Sequence, residues 1–138
     1  PQGRCDLVNG IDNIGIGVSD WKRALQFYQV KLGFNIPHSN EQGGSFTVDT
    51  GPNSPTLYIY ETAKKSSRPV DRGADPLAND VGIDHISFGV DDVDAVYESL
   101  SARGVDFLTT PTTIEPIKLR VARILDPDGN RLSFIKRL

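Results

Sequence analysis

The chain is poor in cysteine and in histidine. Cys5 is the only cysteine, so no disulfide can close within the chain, which fits a reducing compartment. Only Arg4 stands near enough in sequence to depress its thiol pKa, and Cys5 reads as an unreactive terminal thiol. No apolar run approaches the ~20 residues of a membrane helix. There is no long basic run, and the net charge is −3. Nucleic acid and membrane surfaces are therefore not expected as partners. The first residues, Pro-Gln-Gly-Arg-Cys-Asp, carry no signal-peptide core, and a cytoplasmic location is expected. The two histidines are His38 and His85, which leaves little imidazole for a metal centre.

What is present is a repeat. Residues 12–18 read Asp-Asn-Ile-Gly-Ile-Gly-Val and residues 84–90 read Asp-His-Ile-Ser-Phe-Gly-Val. Asn13 and His85 lie 72 positions apart, as do Gly17 and Gly89, and Asp20 and Asp92. The 138 residues suffice for one domain holding one core, or two small cores that share an interface. We read one domain built of two modules, 11–61 and 82–138. They are joined by a polar stretch, 62–81, that serves as a linker or flap.

Each module reads as βαβββ. Ile14, Ile16 and Val18 alternate with Asn13, Gly15 and Gly17; Ile86, Phe88 and Val90 alternate with His85, Ser87 and Gly89. The branched and aromatic face should pack on a helix. The small and polar face should line a pocket, since glycine in a strand often marks a close approach. Asp20 and Asp92 are candidate helix caps, and Gly33 and Gly104 candidate helix ends. Trp21, Phe27 and Tyr28 are assigned to helix packing. Short strands are expected to start at Phe34–Ile36 and Val105–Leu108. Further strands are expected at Ser45–Thr50, Thr56–Tyr60, Leu119–Leu125 and Arg131–Ile135. The 111–118 segment reads as a loop over the pocket, with Glu115 able to reach in. The fold class is α+β: a curved mixed sheet or half-barrel around a central pocket, with helices outside. Asp126 and Asp128 are explained by their Asp-Gly turn.

These patterns resemble the vicinal oxygen chelate superfamily, which includes glyoxalase I, bleomycin-resistance proteins and extradiol dioxygenases. The resembling residues are Gly-Val-Ser-Asp-Trp-Lys-Arg-Ala-Leu-Gln-Phe-Tyr (17–28), Leu-Gly-Phe (32–34), Gly-Ile-Asp-His-Ile-Ser-Phe-Gly-Val-Asp-Asp (82–92) and Asp-Pro-Asp-Gly-Asn-Arg-Leu (126–132). The resemblance implies a homodimer and a small organic ligand. In metal-dependent members each module gives two ligands, and the corresponding positions here are Asn13, Tyr58, His85 and Ser133. Only His85 keeps the family's residue type. Glu61 lies an odd number of positions from Tyr58 and turns to the opposite face, and His38 reads as an exposed loop residue. No metal and no other cofactor is therefore expected.

The inward set from alternation is Asn13, Tyr58, Tyr60, His85, Ser87 and Ser133, with Arg120 and Thr47 added. Tyrosine faces, hydroxyls and an amide suit a flat organic ligand. Histidine is the side chain whose ordinary pKa lies near neutrality. His85 is thus a candidate acid or base, with Tyr58 or Asn13 holding a developing oxyanion. The alternative is a structural histidine, bonded to Ser133 or Tyr58. Arg120 would meet a ligand carboxylate or Asp49. Three functions stay open: a cofactor-independent isomerase, cyclase or lyase; a drug- or metabolite-sequestering protein of the bleomycin-resistance type; and a divalent-metal lyase or dioxygenase.

Overall fold

The computed structural model describes residues 7–64 and 82–138. Cys5 and most of the expected linker, residues 65–81, lie outside them. The first module runs β1 (Asn13–Val18), α1 (Trp21–Leu25), a π-helical continuation (Gln26–Lys31), β2 (Ser39–Asn40), β3 (Ser45–Val48) and β4 (Thr56–Glu61). The second runs β5 (His85–Gly89), α2 (Val93–Ala102), β6 (Phe107–Ile114), a 3-10 turn (Glu115–Ile117), β7 (Leu119–Leu125) and β8 (Arg131–Arg137). They form two four-stranded mixed sheets ordered β1-β4-β3-β2 and β5-β8-β7-β6. β1 pairs with β4, and β5 with β8, in parallel; the other pairings are antiparallel. A parallel pair needs a long crossover, and each helix lies within one.

Both helices start on an aspartate. Asp20 accepts hydrogen bonds from the Lys22 and Arg23 amides, and Asp92 from the Ala95 amide. Each occupies the position where an oxygen satisfies amides that the helix leaves unpaired. Both helices end on a glycine with positive φ, 79° at Gly33 and 85° at Gly104. At the second, Val105 N donates to Leu100 O and Gly104 N to Ser101 O, the Schellman pattern. At the first, the loop is wider: Leu32 N donates to Phe27 O and Phe34 N to Tyr28 O.

Alternation puts one face of each sheet on its helix. Val18, Tyr28, Phe46, Val48, Leu57 and Ile59 are buried in the first module, and Leu100, Ile124 and Leu132 in the second. Each such side chain contributes roughly 1.5–3 kcal/mol by leaving water. The two modules share this core, and Phe34 meets Phe88 at 5.1 Å between ring centroids.

Polar contacts also join the modules. Tyr28, fully buried, donates to Asp126 Oδ2 at 3.0 Å. Ser19 N donates to Asp128 Oδ2, the Arg23 guanidinium stands 3.7 Å from the same carboxylate, and Arg103 Nη1 reaches Lys31 O at 3.5 Å. Asp126 also accepts from the amides of Asp128 and Asn130 and from the Asn130 side chain. Burial raises the Asp126 carboxyl above its ordinary value, and burial together with Asp126 raises the Tyr28 phenol. The Asp-Gly step therefore explains only half of this turn.

Two expected elements differ. Phe34–Ile36 is no strand; it makes a single bridge, Asn35 to Asp49. The 111–118 loop is instead the end of β6 and the 3-10 turn. Glu115 pairs there with Lys118 at 3.2 Å.

Candidate functional site

The faces turned away from the helices differ sharply between the modules. In the first, register places Gly15 beside Tyr58 and Gly17 beside Tyr60, with Thr47 next to Tyr58 and Ser45 next to Tyr60. Tyr58 and Tyr60 stack at 5.6 Å with 25° between their planes, 43 % and 39 % exposed. A Cβ on Gly15 would stand 3.8 Å from the Tyr60 ring, and one on Gly17 3.6 Å from its hydroxyl. Both are ordinary contact distances, so the Tyr60 ring leans across β1 within touch of both positions. At the head of that strand, Asn13 Nδ2 donates to Asp12 Oδ2 at 2.9 Å. The hydroxyl of Thr47 accepts from the His38 amide. His38 itself is exposed beside β2.

In the second module, Ser87, Ser133 and Arg123 form one row across β5, β8 and β7, and His85, Arg131 and Leu125 form the next. His85 and Ser87 are exposed. Ser133 is 3 % exposed, and its hydroxyl has no hydrogen-bond partner among the described residues. The His85 Nδ1 lies 2.8 Å from Asp84 Oδ2. That bond replaces the expected one to Ser133 or Tyr58. With Nδ1 turned to a carboxylate, the tautomer is set and Nε2 is left to the open face.

The repeat therefore reaches into side-chain bonding. Asp12 holds Asn13, and Asp84 holds His85, at matching positions.

Arg120 is a correction. Its register partner Lys136 is one position out of phase with Ser133, so Arg120 points to the helix side. There its Nε lies 3.0 Å and its Nη2 2.6 Å from the two Asp94 oxygens, and Nη1 bonds Thr113. The Arg120 hydrogen bond holds the Asp94 carboxyl below its ordinary value. Neither Asp49 nor a ligand on the open face is its partner. Glu61 accepts from the Trp21 amide, at the start of α1.

The donor set at the four family ligand positions is one imidazole, one amide, one phenol and one buried hydroxyl. The amide and the imidazole are already held by carboxylates. Among the described residues no three His, Cys, Asp or Glu side chains gather as a metal centre would require. Such donors do not fit Zn²⁺, Ni²⁺ or Fe²⁺.

Sequence reasoning missed Asp84, Arg123 and Arg131 as site residues. Asp84 was in view in the Asp-His step of the repeat. The arginines were reachable by counting in twos from Ser133 on β8 and, through the hairpin, on β7.

A family model described as Glyoxalase/Bleomycin resistance protein/Dioxygenase superfamily matches residues 10–134. The uncharacterized protein YwkD of Bacillus subtilis is 30 % identical over 125 residues, covering 88 % of this chain and 92 % of that one. A lactoylglutathione lyase of Haemophilus influenzae is 25 % identical over 123 residues, covering 86 % of each. Among solved structures, a glyoxalase family protein from Enterococcus faecalis superposes with a TM-score of 0.72 at 21 % identity, over 94 % of this chain and 99 % of that one. The match spans both modules and their order, and the chain belongs to the Glyoxalase/Bleomycin resistance protein/Dioxygenase superfamily.

Proposed function

We propose that this protein is a metal-independent proton-transfer enzyme, of isomerase, cyclase or lyase type, acting on a small oxygenated organic substrate as a cytoplasmic homodimer. The observation that carries the reading is the His85–Asp84 pair: an imidazole on an open strand face, held at Nδ1 by a carboxylate 2.8 Å away. In this mechanism His85 Nε2 takes a proton from a carbon beside a substrate carbonyl. The electron pair moves onto that oxygen, and the imidazolium returns the proton at a second position or to a leaving group. Asp84 orients the ring and stabilises the imidazolium. Ser87, two positions along the same face, supplies a hydroxyl, and Asn13 and Tyr58 are the further donors for the oxyanion.

His85→Ala is expected to lower kcat by about 10²- to 10⁴-fold with an unchanged melting temperature. Unaltered turnover removes the reading. Asp84→Asn should lower kcat less, at constant KM, and Asp84→Glu should restore part of it. A purely structural aspartate would move stability instead.

A second reading is favoured by the stacked Tyr58–Tyr60 pair, which is a platform for a flat ligand without any need for chemistry. A sequestering protein would return its ligand unmodified and would bind equally well as His85→Ala. The homodimer is supported by β1 and β5, each paired on one side only among the described residues. Ile11 and Ile83, just before them, are 67 % and 84 % exposed. Such edges favour cover by a second chain.

A further inference from the structure

The open face of the second module is cationic in a chain whose net charge is −3. The in-phase residues are His85, Ser87 and Gly89 on β5, Arg131, Ser133, Ile135 and Arg137 on β8, and Leu119, Val121, Arg123 and Leu125 on β7. Three are arginines, and the one carboxylate beside them, Asp84, is bonded to His85. The matching face of the first module carries no charge on β1, β3 or β4: Asn13, Gly15, Gly17, Ser45, Thr47, Thr56, Tyr58 and Tyr60.

The arginines on the two sides of this sheet are treated differently. Arg120, on the helix side, is bonded at both edges of its fork by Asp94 and Thr113. Arg123, on the open side, is exposed, and its guanidinium has no partner among the described residues. Only its backbone amide is bonded, to Thr109 Oγ1. Directly across from it is the buried Ser133 hydroxyl, also without a partner among the described residues. A buried hydroxyl left unpaired is costly, and a ligand oxygen would satisfy it.

We propose that this face recognises a small organic carboxylate, with Arg123 as the anchoring residue and Ser133 donating beside it. The planar guanidinium fork matches a carboxylate with two parallel hydrogen bonds. Arg123 and His85 stand two strands and one row apart, which places their Cα atoms roughly 10–12 Å from one another by strand spacing and rise. Their side chains close most of that span. What remains is the size of a small molecule, anchored at its carboxylate and presented at its other end to His85. The inference rests on the reading of this face as the substrate site. It adds the substrate's charge and the residue that selects it.

The test uses benzoate as probe, benzamide as its neutral counterpart and inorganic phosphate as a competing anion, on the full chain by calorimetry and by NMR of the arginine Nε–H groups. Benzoate is expected to bind, to shift the Arg123 Nε–H signal and to bind at least tenfold more weakly to Arg123→Gln. Lys136→Gln makes the same change of charge on the helix side and should leave the affinity unaltered. Equal binding of benzoate and benzamide overturns the proposal, as does full affinity in Arg123→Gln. Absence of benzoate binding at millimolar concentration overturns it too, and binding of phosphate alone overturns the carboxylate assignment. Retained, Arg123-dependent binding by a His85→Ala protein of unchanged turnover would remove the enzyme reading while keeping this one.

Discussion

Tyr28 ends on a carboxylate that it meets only in the folded protein. Its phenol is one of several donors holding Asp126 in the core. Tyr28→Phe leaves that buried carboxylate one donor short. We expect a loss of about 1–3 kcal/mol, read from urea unfolding. A cost below a few tenths would show that the bond is replaced by water. Asp126 itself gives a pH signature. Because burial raises its carboxyl above the ordinary 3.8, the folded protein keeps a proton that the unfolded chain has lost. The stability from this group is full in acid and is lost as pH rises through the raised value. Asp126→Asn removes that titration, so its melting temperature should fall less than that of the parent as pH rises from about 3.8. An identical profile would contradict the sign. Neither effect was legible in the sequence, because the turn chemistry of Asp-Pro-Asp-Gly-Asn accounts for itself and Tyr28 stands 98 positions away. His85, by contrast, was legible as a candidate from the repeat alone. Arg120 was misplaced by one step of alternation, which is all that separates the two faces of a strand.

The elements show the same mixture. Alternation located β1 and β5 and the apolar face that each turns to its helix, and the capping aspartates and terminal glycines located both helices. Phe34–Ile36 did not become a strand: Pro37 follows it and has no amide to donate. Strand β6 is longer than expected and passes through Pro111, which a sheet edge tolerates. Its register slips on either side of Thr109, between Phe107 and Thr112. The two terminal glycines are alike in backbone and unlike in surroundings. A Cβ on Gly33 would fall 2.5 Å from Arg103 Nη1, whereas one on Gly104 meets nothing within 4 Å. Gly104→Ala should cost about 1–2 kcal/mol for its positive φ alone. Gly33→Ala should cost about the same, since the atom its Cβ would meet is the far end of a flexible arginine side chain. Equal melting temperatures for the two single variants would show that Arg103 simply swings aside.

At the scale of the whole molecule, the repeat gives a pseudo-twofold frame with unequal faces. One is neutral and aromatic, the other cationic with an imidazole. The frame was readable because two copies in one chain can be compared with each other. The inequality shows first at His85 and Asn13, whereas the arginines need the further step of counting in twos along β8 and, through the hairpin, β7. Light scattering is expected to give twice the chain mass, and Ile83→Asp should shift it towards one chain. A single-chain mass for the parent at micromolar concentration would contradict the dimer.

The contacts that sew the modules together, Tyr28 to Asp126 and Ser19 to Asp128, span 98 and 109 positions of chain. Contacts so distant in sequence slow folding, because the loop must close before they reward it. They also set an order of events on the ribosome. At about 5–20 residues per second, α1 emerges roughly 5–20 s before the turn that receives its tyrosine. Through that interval β3 and β4 can already cover the Tyr28 ring, which packs on Phe46, but its hydroxyl has no Asp126 to meet. The nascent first half then carries a polar group in its core that only the second half can satisfy.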